Sequence, residues 1–129
     1  MIGLDTNILV RYLTKDDEKQ WKQAVDIVEG TVQCFVSNIV LCELIWVLRG
    51  NPYQFSREEI SNTLEMMLQC AVFEWEKRSI AYQSLQRFKQ GKADFYDYLI
   101  GAIAQQSGCT TTTTFDQKLK NEKGFDYLY

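Results

Sequence analysis

The chain has 129 residues, 46% of them apolar, with one proline and seven glycines; that suffices for one globular core and excludes a disordered or linker-rich polypeptide. It contains no histidine, which removes every mechanism built on an imidazole base or a histidine-bound zinc. The net charge of −3 and pI of about 5.0 leave none of the basic footprint that nucleic-acid-binding domains usually carry.

Residues 2–4 read as a short buried strand ending at Asp5. Residues 17–29 form a helical pattern with Trp21, Ala24, Val25 and Val28 on one face, and Gly30 follows as a stop. Residues 33–36 are a second strand. Residues 38–48 predict a helix closed near Gly50-Asn51-Pro52. Ser56 and Glu59 make a capping box that opens a helix to about residue 70, with Ile60, Leu64, Met67 and Leu68 facing inward. Residues 71–75 are a third strand, 78–89 a helix, and 94–106 a largely apolar helix stopped at Gly108. The β-branched run 109–113 is strand-like, and a short helix and a last strand near 126–129 close the chain. Strands alternating with helices predict an α/β fold with a mainly parallel sheet, in one domain covering 1–129. The four cysteines have no zinc or redox spacing and read as small apolar residues in a reducing compartment. No stretch is long enough to cross a bilayer, and the first residues lack the pattern of a signal peptide, so a cytoplasmic protein is expected.

Four acidic residues occupy unusual places. Glu43 is the only charge among the apolar residues 39–48. A helix apolar on all sides is a buried helix, so Glu43 is expected to be a buried carboxylate needing a partner: an ion pair with Arg49 or Arg11, or a metal. Asp5 follows the first strand, and Asp116 follows the threonine-rich one. In parallel sheets, sites form beyond the carboxyl ends of strands. Asp94 and Asp97 stand three apart at a helix start, where a capping role competes with a functional one. Carboxylates gathered at one sheet edge repel one another unless a cation lies among them. Oxygen ligands alone favour Mg2+ or Mn2+, and such a centre suits hydrolysis of phosphodiesters.

Four segments taken in order resemble a known family. Asp5-Thr6-Asn7, Ser37-Asn38 through Glu43-Leu44, Asp94 through Asp97 and on to Ala102, and Thr113-Thr114-Phe115-Asp116 resemble the motifs of PIN-domain ribonucleases. Within that family, they resemble the VapC-type toxins of bacterial and archaeal toxin–antitoxin pairs. The resemblance spans essentially the whole chain. It implies a three-layer α/β/α sandwich around a parallel sheet, and endonucleolytic cleavage of RNA at a Mg2+ or Mn2+ site. It implies Asp5, Glu43, Asp97 and Asp116 as the acidic centre, with Asp94, Asn7, Ser37 and Thr114 in support. Arg11 would contact phosphate or partner, or form an ordinary surface ion pair. A cognate antitoxin and a homodimer are also implied, with Trp46, Met66 and Met67 as candidate contact residues whose competing role is core packing. Two other readings remain. The same centre would serve a DNA nuclease or phosphatase, and the fold without catalysis would serve as an RNA- or protein-binding module.

Overall fold

A computed structural model describes residues 1–129. Two compact units divide the chain, residues 1–78 and 79–129.

The first unit runs β1 (Ile2–Gly3), α1 (Thr6–Thr14), α2 (Glu18–Gly30), β2 (Cys34–Val36), α3 (Asn38–Arg49), α4 (Arg57–Gln69) and β3 (Phe73–Trp75). Its strands form one parallel ladder in the order β1-β2-β3. Ile2 pairs with Cys34, and Cys34 pairs with Phe73. Parallel neighbours require a crossover, and each crossover here is a pair of helices: α1–α2, then α3–α4. Helix α1 packs on both α2 and α3. The buried side chains Leu9, Val28, Leu41, Leu44, Ile60 and Met67 build this core. Where a buried strand over 2–4 was expected, Ile2 and Gly3 are exposed and only Leu4 is buried; β1 is the end strand of its ladder.

Caps set the helix starts as the side chains dictate. Asp17 accepts a hydrogen bond from the Gln20 N–H at 3.0 Å. Ser37 accepts one from Val40 at 3.2 Å. Ser56 and Glu59 form the reciprocal box expected of them, at 3.0 and 3.1 Å. The expectation for α3 needs correction. Its Leu41, Leu44, Ile45 and Leu48 are buried, but Ile39 is 76% and Trp46 73% exposed. Glu43 lies exposed between them. The helix is apolar on all sides yet buries only one, so its composition misplaced Glu43.

The second unit holds most of α5 (Arg78–Gln90), then α6 (Phe95–Gln106), β4 (Thr112–Thr114), a 3-10 turn (Gln117–Leu119) and β5 (Phe125–Tyr127). Strands β4 and β5 are parallel, with Thr114 opposite Tyr127. Phe88 of α5 meets Phe95 of α6 edge-on at 6.1 Å between ring centres, and Leu85, Tyr98 and Leu99 are buried with them. Arg87 fastens the end of the chain. It donates to the Lys123 carbonyl at 2.7 Å and to Glu122 at 3.3 Å, with the rings of Tyr98 and Phe125 within 5.5 Å of the guanidinium. Gly108, at φ +97, ends α6 in the left-handed region where a side chain would be strained. Strand β4 starts three residues later than the β-branched pattern suggests, because Cys109 N–H still bonds back to the Ala104 carbonyl of α6 at 3.0 Å.

All strand pairings are parallel and six α-helices separate them, so the α/β class with a parallel sheet holds. No helix is long and apolar enough to cross a membrane.

Candidate active site

In the second unit, Asp94 occupies the N-cap position of α6, directly before Phe95. Asp97, in the first turn, turns its Oδ2 back to accept from the Asp94 N–H at 3.0 Å. This is the capping geometry that competed with a functional role in the sequence. It engages one oxygen of Asp97. The Tyr96 hydroxyl donates to Asp94 Oδ2 at 2.9 Å. Asp116 follows β4. Its own N–H donates to Thr114 Oγ1 at 3.0 Å, and its Oδ1 accepts from the Lys118 N–H at 2.9 Å. Thr114 thus fixes the backbone that carries Asp116.

These three carboxylates share one electrostatic neighbourhood. Burial pushes the Asp97 carboxyl above its ordinary value, and the charges of Asp116 and Asp94 push the same way. The Asp94 N–H and the positive charge of Lys118 oppose them. The Tyr96 hydroxyl is pushed up to about 12, chiefly by its bond to Asp94, with burial and the charges of Asp94, Asp97 and Asp116 adding to it. Asp97 is half-buried, as are Asp94, Tyr96 and Asp116.

In the first unit, Asp5 is the N-cap residue of α1, with extended backbone and no side-chain capping bond. Its carboxylate stays exposed. Thr6, next in the chain and only 6% exposed, donates from Oγ1 to Glu43 Oε1 at 2.6 Å. One hydroxyl therefore joins the start of α1 to the middle of α3. The expected partner of Glu43 is not an arginine. Arg11 donates to Gln20 at 2.6 Å and to both oxygens of Asp16 at 2.9 and 3.1 Å, with Tyr53 at 3.2 Å. The guanidinium is taken up in tying the α1–α2 turn to the segment after α3. Ser37 spends its hydroxyl on the cap of α3, and Asn7 is exposed on the first turn of α1.

Thr6 and Tyr96 were missed in the sequence. Thr6 sits beside Asp5 and Tyr96 beside Asp97, so neighbours in the motifs were passed over for the acids themselves. The acids of each unit offer hard carboxylate oxygens, which suit Mg2+ or Mn2+. No three acidic, cysteine or histidine side chains stand close enough together to hold an ion.

The PIN-domain family matches residues 2–123. The chain belongs to the PIN-domain family. That match takes in every acidic residue singled out above. The chain is also 24% identical over 125 residues to a VapC ribonuclease of Aquifex aeolicus (strain VF5), covering 91% of this chain and 88% of that protein. A solved toxin–antitoxin complex from Klebsiella pneumoniae aligns with 99% of this chain and 97% of its own, at 21% identity and a TM-score of 0.37.

Proposed function

We propose that this PIN protein is a metal-dependent endoribonuclease, the toxin of a VapBC-type pair, hydrolysing RNA phosphodiesters at an acidic centre of Asp5, Glu43, Asp97 and Asp116. The observation that carries the reading is the PIN-domain match over residues 2–123, in a chain whose half-buried Asp97 feels the charges of Asp116 and Asp94. Burial and two neighbouring carboxylates hold Asp97 above its ordinary value, a cost that a divalent cation would remove.

Asp5, Asp97, Asp116 and Glu43 would hold Mg2+ or Mn2+, with Asp94 beside them. When bound, such an ion lowers the pKa of a water and neutralises phosphate oxygens. The chain's own groups do the rest. The Asp94 N–H fixes one oxygen of Asp97 and leaves Oδ1 available. Thr114 and the Lys118 N–H hold Asp116 from two sides. Thr6 holds Glu43, and Tyr96, kept protonated by its neighbours, holds Asp94. Asn7 stands exposed on the first turn of α1.

An antitoxin and a second copy of the chain are the proposed protein partners. The support is the unusual apolar exposure in the first unit: Ile39 and Trp46 on α3, and Met66, 51% exposed, on α4. Met67, by contrast, is fully buried and belongs to the core. Arg11 remains a proposed contact, reached only if a ligand takes it from Asp16.

The deciding experiment is cleavage of a labelled total-RNA pool with Mg2+ or Mn2+, with EDTA, and with Asp97→Asn. Discrete products that need both metal and Asp97 are expected. Folded, antitoxin-free protein that cuts nothing under any metal would end the ribonuclease reading. Matched DNA and RNA oligonucleotides separate it from a DNA nuclease, since a carboxylate–metal centre does not itself read the 2′-hydroxyl.

A further inference from the structure

Phe115 is 74% exposed. Its ring has neither an aromatic nor a cationic partner among the contacts of the second unit, and nothing about the core requires a phenylalanine there. It immediately precedes Asp116, whose N–H and Oδ1 are both pinned. The ring's point of attachment is therefore as well defined as the carboxylate itself. One turn further on, Lys118 is exposed, and its positive charge bears on Asp97. An unpartnered aromatic side chain thus immediately precedes Asp116, and an exposed ammonium that acts on Asp97 follows it.

We propose that Phe115 is a base-stacking platform and Lys118 its phosphate contact, together seating one unpaired nucleotide of the substrate beside Asp94, Asp97 and Asp116. The inference rests on the ribonuclease reading and adds what holds the RNA. A chain of net charge −3, in which the charges of Asp94 and Asp116 both act on Asp97, repels a polyanion. Binding there needs a contribution insensitive to charge. Stacking on an aromatic face is such a contribution, and every base has a face to offer. Lys118 supplies the local positive charge that the sequence as a whole lacks. A base inside a duplex is already covered on both faces, so this platform accepts only unpaired nucleotides. A protein partner would also cover Phe115, but the adjoining Lys118 and the acidic cluster favour a ligand that brings both a ring and a phosphate.

The test uses full-length protein carrying Asp97→Asn, which does not consume the RNA, in Mn2+. Single-stranded oligoribonucleotides are compared with the same sequences carrying one abasic residue at each position in turn. With Phe115, one abasic position should weaken binding by about 5- to 150-fold, the range that stacking of one base supplies. Phe115→Leu, which keeps an apolar side chain without the aromatic face, should weaken the intact oligonucleotide to a similar degree. It should also abolish the penalty at that abasic position. Phe115→Trp should retain both, and a blunt duplex should bind weakly to all. Lys118→Ala should lessen the dependence of binding on salt. Because Phe115 is exposed, these variants are expected to unfold at the temperature of the parent protein. If Phe115→Leu binds intact and abasic RNA as the parent does, the platform is refuted. It is equally refuted if that variant loses only the affinity for purified antitoxin, since Phe115 then belongs to a protein interface. Metal-dependent cleavage unaffected by Phe115→Leu would overturn this inference and leave the ribonuclease standing. Base-dependent binding by a protein that never cleaves would do the reverse.

Discussion

At the scale of single residues, Asp97 is where function and stability pull apart. Its carboxyl is raised in the folded chain by burial and by Asp116 and Asp94, so folding disfavours its ionised form. The unfolded chain ionises near the ordinary value of 3.8. As pH climbs from there through the raised value, the folded state loses stability relative to the unfolded one, and the whole cost is present at neutral pH. Asp97→Asn removes the charge and keeps an oxygen for the Asp94 N–H. It should therefore raise the melting temperature of metal-free protein at pH 7, with the gain vanishing below about pH 3.8. Scanning calorimetry at several pH values in EDTA would show this; equal gains at every pH would mean that the charge is not the cause. Thr6 makes a separate prediction. Thr6→Val removes the hydroxyl that holds Glu43, at a cost of about 1 kcal/mol of stability. If Glu43 belongs to the metal centre, RNA cleavage should fall by about 10- to 100-fold and recover in Thr6→Ser. A Thr6→Val protein as active as the parent would remove Glu43 from the centre. The four acids drew notice because each stands at a strand end, a helix start or in an uncharged run, though that run wrongly implied a buried Glu43. Thr6 did not, since a threonine beside an aspartate carries no signal until the fold places Glu43 opposite it.

At the scale of elements, side chains that act on their own backbone were the most readable. Ser56 and Glu59 cap α4 as the spacing requires, and Gly108 closes α6. Exposure was less readable, because period and composition show which side of a helix is apolar but not what covers it. α3 kept Ile39 and Trp46 outside, and α1 itself lay hidden between the motif at Asp5 and the next helix. The connection from α5 to α6 shows a constraint that only the packed state reveals. A Cβ on Gly91 would lie 1.8 Å from the Tyr98 hydroxyl and 2.8 Å from Glu122 Oε1. That hydroxyl bonds the Ala93 N–H and Glu122, each at 3.2 Å, on a ring that is fully buried. Gly91→Ala must displace it and should cost about 1–3 kcal/mol, as overpacking does. Gly30→Ala, with nothing within 4 Å of the added carbon, is the control and should show no such loss in urea denaturation. Equal stability of the two variants would mean that the Tyr98 hydroxyl gives way freely.

At the scale of the whole molecule, the question is whether residues 1–78 and 79–129 fold as one. We propose a single domain over 1–129, because the PIN match runs from residue 2 to 123 without a break at the boundary. Single domains of this size usually unfold in one cooperative step. The chain carries its own reporters. All three tryptophans, Trp21, Trp46 and Trp75, lie in the first unit. Trp75 is 7% exposed and Trp21 half-buried while Trp46 is largely in water, so Trp75 and Trp21 carry the change in fluorescence. Tyr96, Tyr98 and Tyr127 lie in the second unit, and Tyr98 is fully buried there. Fluorotyrosine resonances of Tyr98 and tryptophan fluorescence should therefore share one urea midpoint if 1–129 is a single domain. Two midpoints would divide the chain at residue 78. Each unit would then hold its own part of the acidic set, Asp5 and Glu43 in one, Asp94, Asp97 and Asp116 in the other. A shared midpoint that Mn2+ raises in the parent but not in Asp97→Asn would go further. It would tie metal, acidic centre and both units to one folding equilibrium, because an ion that binds only the native state must stabilise all that unfolds with its site.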